Sequence, residues 1–271
     1  MKLRVLVDNH TFIDEYYLGE PAVSYYLEID DRRILFDTGY SDIFLSNAKK
    51  MGIDLSQLTH AVLSHGHNDH TNGLRYLSQA VDLSHVELIA HPDCFLPKRY
   101  EEEYIGVPCS SKEMQSQMLF HPKDEPFAIS EHCLFLGEIP RRNAFEAKHS
   151  IGEQEKDGIW KPDQVLDDSA LVCRTKDGLF IITGCSHSGI CNIIDYAMEV
   201  CKEQRIAGIL GGFHIFQTGV RLEQTIAYMQ KQQIHQLYPC HCVSLVAKAS
   251  MMQKLPVQEV GVGLEIEIGS E

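Results

Sequence analysis

Residues 64–74 read Ser64-His65-Gly66-His67-Asn68-Asp69-His70-Thr71-Asn72-Gly73-Leu74, directly after the apolar run Ala61-Val62-Leu63. Three imidazoles and one carboxylate fall within six residues. Borderline-soft divalent metals such as zinc take imidazole nitrogen and carboxylate oxygen. Alternate residues of an extended segment point the same way, so His65 and His67 can share one ion. Asp69 and His70, where the chain begins to turn into a helix, then face a second. A loop that is merely polar scatters its histidines; the H-x-H-x-D-H spacing gathers them.

Two divalent ions close together lower the pKa of a shared water towards neutrality and hold the resulting hydroxide for attack. Asp69 would orient that hydroxide, and the ions would stabilise charge on the substrate oxygen. The expected activity is therefore that of a dinuclear metal-dependent hydrolase. A phosphate ester or phosphodiester is preferred over a lactone, thioester or amide.

Such a centre needs strand ends to carry it, and the rest of the chain supplies alternation. Strands are expected near 3–7, 22–29, 33–37, 60–64 and 86–90, with helices near 41–51 and after 71. Further along, strands at 169–175 and 179–183 are joined by the hairpin turn Lys176-Asp177-Gly178. A helix at 189–204, a strand at 206–210, a helix at 220–232, a strand near 235–238, helical residues 244–253 and a strand at 264–268 follow. Two strand-rich halves with helices outside them predict two sheets packed face to face between helical layers.

Composition narrows the function classes. The 271 residues are 44% hydrophobic and 23% charged, as expected of a globular protein with ample length for a core. No apolar run approaches the length of a membrane span. Met1-Lys2 leads straight into an alternating strand, so no secretion signal is visible. The nine cysteines are odd in number and lie partly in apolar runs, which points to reduced core thiols and a cytoplasmic home. Net charge is −14, from 24 basic and 38 acidic residues. That argues against nucleic-acid partners and still permits a small anionic substrate, because bound metals reverse the local sign.

Residues 93–165 differ from the rest. They are rich in charge, Pro and Gly, hold the only tryptophan, Trp160, and show weak periodicity. They read either as a surface excursion or as a cap inserted into a single domain spanning 1–271. As a lid, its Lys98, Arg99, Arg141, Arg142 and Lys148 would meet an anionic group.

His65-x-His67-x-Asp69-His70 resembles the signature of the metallo-β-lactamase superfamily. Leu35-Phe36-Asp37-Thr38-Gly39 and Tyr238-Pro239-Cys240-His241 match further in the expected chain order. Thr183-Gly184-Cys185-Ser186-His187-Ser188-Gly189 and Gly211-Gly212-Phe213-His214 are similar to a branch known as dihydropterin ribofuranosylaminobenzene phosphate synthase-like. The resemblance implies a four-layer αβ/βα sandwich, with an inserted cap and a metal site at one edge of the sheets. It implies two divalent ions, zinc foremost with manganese and iron also accepted. His65 and His67 would bind the first ion, and Asp69, His70 and His241 the second.

Two positions depart from the common pattern. Most members place a histidine before the strand at 169–175 and an aspartate at the end of the next strand. No histidine occurs between 150 and 186 here; the loop holds Asp167-Asp168 and the strand end holds Cys185-Ser186-His187. His187 is the favoured filling for the first site. Asp167 or Asp168 is the competing one, or else an acidic cap or supporting partner. Cys185 is soft enough for zinc, yet a small apolar filler is the preferred reading.

His214, after an apolar strand and two glycines, is either a core histidine or a proton donor to a leaving oxygen. Ser188-Gly189, ahead of a helix, would present backbone N–H groups to a phosphate. Asp37 reads as a hydrogen-bonded structural carboxylate, and His91 as a loop residue. Two rivals to hydrolysis keep the metals. One is pterin-pathway C–N or C–C bond formation on a ribofuranosylaminobenzene phosphate-type substrate. The other is a non-catalytic metal-binding or sensing protein, disfavoured because a closed structural site needs four ligands and at least six are on offer.

Overall fold

Alternation along the strands decides how the layers stack. The computed structural model describes residues 1–146 and 149–269. Its first half holds β1 (Lys2–Val7), β2 (Ser24–Ile29), β3 (Arg32–Phe36), β4 (His60–Val62) and β5 (Glu87–Ala90), with α1 (Ile43–Lys50), α2 (Asn68–Thr71) and α3 (Leu74–Ala80). A middle stretch carries β6 (Lys98–Tyr100), β7 (Glu103–Tyr104), α4 (Ser111–Gln115), β8 (Leu119–Pro122), β9 (Phe127–Ala128), β10 (Cys133–Phe135), β11 (Glu153–Lys156) and β12 (Ile159–Pro162). The second half holds β13 (Ala170–Thr175), β14 (Gly178–Thr183), α5 (Ile190–Cys201), β15 (Ile206–Gly211), α6 (Val220–Lys231), β16 (Leu237–Pro239), α7 (Leu245–Met252) and β17 (Glu265–Glu267).

One sheet runs β17-β1-β2-β3-β4-β5-β8 and a second runs β16-β15-β14-β13-β10-β9. In β13 and β14, Leu171, Cys173, Phe180 and Ile182 turn towards Leu3, Val5, Leu27 and Phe36 of the first sheet. Their neighbours Ala170, Val172, Leu179 and Ile181 turn the other way, onto α5, α6 and α7. Leu35 of β3, between the inward-facing Ile34 and Phe36, packs outward with Phe44 of α1 and Leu74 and Leu77 of α3. Three apolar interfaces therefore separate four layers in the order helices, sheet, sheet, helices. Each fully buried large side chain contributes about 1.5–3 kcal/mol, so the sandwich interior is what holds the strand ends in place.

The middle stretch is not one unit. β8 closes the edge of the first sheet and β9 and β10 the edge of the second, while β12-β11-β6-β7 form a separate four-stranded sheet. Strands of two to four residues, with few buried positions, leave no period to read. Among the described residues, no helix is long and apolar enough to cross a membrane.

Candidate metal centre

The parallel strands of both sheets end at a common edge, and the chemistry-bearing residues follow those ends. β4 leads into Ser64–His67 and then α2, which carries Asp69 and His70; β14 leads into Cys185–His187, β15 into His214 and β16 into His241. Open α/β sheets place sites at the carboxyl ends of strands because the chain must turn there and its polar groups are free. Four non-glycine residues at these turns adopt left-handed backbone: Asp37 (φ 56°), Ser186 (56°), His214 (48°) and His241 (49°). Left-handed backbone disfavours residues with a Cβ, and its concentration at one edge marks turns held for what they present.

Five imidazoles converge. His65, His67, His70, His187 and His241 are each no more than 8% exposed. The His65 ring centroid lies 4.2 Å from that of His70 and 4.7 Å from that of His187, and His70 lies 5.1 Å from His241. Donor atoms of His65, Cys185 and His187 fall within 4.8 Å of one another, and so do those of His70, Cys185 and His241. Asp69 Oδ2 approaches His241 Nε2 at 3.3 Å and His70 Nε2 at 3.6 Å. The donor atoms of Cys185, His214 and Cys242 are equally close, so three groups of donors meet at one shared sulfur.

Surrounding hydrogen bonds aim these rings. Ser64 Oγ donates to Asp37 Oδ2 at 2.7 Å, so it must accept from His65 Nδ1, 2.9 Å away, which turns the His65 Nε2 lone pair towards His67 Nδ1 at 3.0 Å. His70 Nδ1 donates to the same carboxylate at 2.7 Å, which turns its Nε2 towards Cys185 Sγ at 3.3 Å. His241 Nδ1 lies 3.0 Å from the amide oxygen of Asn9, and its backbone N–H donates to Asp8 Oδ1 at 2.8 Å. Fixing one ring nitrogen so that the other offers a lone pair is how proteins prepare imidazole for a metal. His67 Nε2 and His187 Nε2 are buried with no hydrogen-bond partner, a costly arrangement unless an ion completes it. The residues present fit a divalent metal.

Protonation agrees with that fit. Burial holds His65 and His187 well below the ordinary imidazole value and brings His67 down to about 4, so these rings are neutral donors. Burial acts downward on His70 as well, but the facing Asp69 and Asp37 carboxylates outweigh it and lift the ring to about 9. Burial pushes Asp69 up, yet His70 and His241 more than reverse this and hold it below the usual carboxylate range. The negative charge gathered on His70 is of the kind a divalent cation neutralises.

A cleft of about 480 Å³ opens beside this cluster, reached by His187 and His214 and walled by Phe216 and Arg221 of one segment and Ile151 of another.

The comparisons agree with the geometry. The sequence profile of the metallo-beta-lactamase superfamily matches residues 18–108. The solved structure of Tm1679, described as a metal-dependent hydrolase of the beta-lactamase superfamily, superposes with a TM-score of 0.86 at 30% identity, covering 99% of each chain. The chain belongs to the metallo-β-lactamase superfamily. An uncharacterised protein of Methanocaldococcus jannaschii, MJ0448, is 32% identical over 93% of this chain and 94% of its own length. From the same organism, 7,8-dihydropterin-6-methyl-4-(beta-D-ribofuranosyl)-aminobenzene-5'-phosphate synthase is 25% identical over 94% of this chain and 91% of its own length. The metallo-β-lactamase fold is generally metal-dependent, and His and Cys clusters are present here.

Within that fold the open positions of the sequence take definite places. His187 packs against both His65 and His67, at 4.7 and 4.9 Å between ring centroids. Asp167 sits behind them: its Oδ2 accepts from Gly66 N at 2.8 Å and its Oδ1 pairs with Lys98 at 3.0 Å. Asp168 Oδ2 accepts from Ser188 N at 2.8 Å, and burial raises its carboxyl to about 6. Cys185 is buried, and its Sγ lies 3.3 Å from His70 Nε2. Gly184 before it admits no side chain, because a Cβ there would lie 2.2 Å from Ser64 Oγ.

Two expectations are corrected. Ser188-Gly189 offers nothing to a phosphate: Glu146 accepts from Cys191 N and Asn192 N at 3.1–3.2 Å and so fills the start of α5, while Asp168 takes Ser188 N. Nor are the described cap cations turned to a substrate anion; the chain's own groups engage them. Lys98 is bound to Asp163 and Asp167, Arg99 to Glu153, Arg141 to the carbonyls of Gln164 and Val165, and Arg142 to Glu199. Lys148 lies outside the described residues. Asp37 is the structural carboxylate expected, and His91 stays away from the centre, accepting from Asp93 N at 3.1 Å. Sequence reasoning missed Asp8, Asn9, Cys242 and Arg221, which lie far along the chain from the motif and carry no spacing signal.

Proposed function

We propose that this protein is a dinuclear metal-dependent hydrolase whose preferred substrates are phosphate esters or phosphodiesters. The observation that carries the reading is the gathering of imidazole and thiol donors around Cys185, with an open cleft beside them. His65, His67 and His187 would hold one divalent ion, zinc foremost, and Asp69, His70 and His241 the other, with Cys185 a further donor within reach. When bound, such ions supply Lewis acidity and an activated water. The chain's own groups do the rest. Asp69 is placed to orient the attacking water from the edge of the second group. His214 lines the cleft with its ring centroid 4.5 Å from that of His187 and its Nδ1 buried without a partner, where it can pass a proton to a leaving oxygen. Gly66, whose Cβ would collide with the Cys94 carbonyl at 2.0 Å, ties the H-x-H loop to the middle stretch.

A second reading rests on the similarity to the M. jannaschii synthase: condensation of a pterin with a ribofuranosylaminobenzene phosphate-type substrate. One screen separates the two. Zinc-, manganese- and iron-loaded protein is offered phosphodiesters, phosphomonoesters, lactones and thioesters in heavy-oxygen water. Hydrolysis predicts turnover that vanishes with chelator, with one solvent oxygen in the product. Silence across the ester panel, with condensation of a pterin and a phosphorylated co-substrate, would establish the synthase reading instead.

A further inference from the structure

Arg221 stands in the wall of the cleft with no carboxylate partner among the described residues. Its Nη2 donates to the Phe213 carbonyl at 3.2 Å, and its Nε is buried and unbonded. In a chain of net charge −14, where the described cap arginines are all engaged, this one is placed differently. A guanidinium with a free face, opening into a cleft, is suited to planar acceptor oxygens.

The surroundings agree. Arg221 lies in the first turn of α6, where the helix field is positive and Glu223 is the acidic neighbour. Gln217, Thr218, His149 and His214 line the same cleft, with Ile151, Ile215 and Phe216 as apolar wall. His187 also lines it, only 8% exposed and with Nε2 unpartnered.

We infer that the cleft is a substrate subsite in which Arg221 binds a second anionic group, a phosphate or a carboxylate, carried on an apolar body away from the bond that is cleaved. This rests on the hydrolase reading only for which end of the substrate meets the metals. Arg221 is thus a specificity-determining residue rather than a catalytic one.

The test uses zinc-loaded full-length protein and calorimetry with three stable ligands. Phenylphosphonate offers one anionic end; 4-carboxyphenylphosphonate and 1,4-phenylenediphosphonate add a distal carboxylate or phosphonate. The distal group should tighten binding by about tenfold or more, as charge-assisted hydrogen bonds do. Arg221→Gln should abolish that gain with phenylphosphonate affinity and zinc content unchanged, and Arg221→Lys should restore part of it. Whichever distal group gains more identifies the anion. Equal binding of all three ligands by the native protein would overturn the subsite, as would a gain that survives Arg221→Gln or no binding at all. If phenylphosphonate alone fails to bind while the distal gain persists and needs Arg221, the metal reading falls and the subsite stands.

Discussion

At the scale of single residues, the first ion's third ligand separates His187 from Asp167. Both are buried near His65 and His67, but only His187 has a lone pair without a partner; both Asp167 oxygens are engaged by Gly66 and Lys98. His187→Ala should therefore lower metal affinity by about tenfold or more, whereas Asp167→Asn should have the smaller effect of loosening the loop. Metal titrations of the two variants side by side check this, and the reverse order would return the ligand role to the aspartate. The sulfur of Cys185 gives a spectroscopic handle. Cobalt-substituted protein should show thiolate-to-metal charge-transfer absorption that disappears in Cys185→Ser and persists in Cys242→Ser. The H-x-H-x-D-H run announces itself because its donors are adjacent in the chain. Cys185 does not, because a thiol between two strands reads the same whether it packs or binds until its neighbours are known.

At the scale of elements, strand ends were legible because their periodicity is strong: β13, β14, β15 and α5 fall within a few residues of where alternation and helical spacing place them. The partners that aim His241 were not, since Asp8 and Asn9 reach it only when the first sheet packs on the second. The small β12-β11-β6-β7 sheet shows the same limit, and it is coupled to the metal loop by a buried cation as well as by Asn68, whose backbone N–H donates to the Ile105 carbonyl at 2.8 Å. Lys98 is fully buried between Asp163 Oδ2 at 2.7 Å and Asp167 Oδ1 at 3.0 Å. Those carboxylates hold Lys98 above its usual range, against burial, which pushes it down. Removing one partner of such a cluster strands the others in a poor dielectric. Lys98→Met should cost about 3–5 kcal/mol of stability and reduce metal affinity through Asp167 and Gly66. Denaturant unfolding and metal titration read the two effects; an unaltered unfolding midpoint would mean that the small sheet is not coupled to the site.

Over the whole molecule, the proposed donors come from Cys185, His187 and His241 of one half and His65, His67, Asp69 and His70 of the other. The two sheets must therefore be packed before either donor group exists, and metal binding and the sandwich are thermodynamically linked. The proposed hydrolysis requires two ions, not one. Elemental analysis of protein reconstituted with excess zinc and then desalted measures this directly. The native chain should retain close to two ions, and His241→Ala, which removes a donor from the second group alone, should retain close to one. A native plateau at a single ion that His241→Ala leaves unchanged would contradict the dinuclear centre on which the proposed hydrolysis depends.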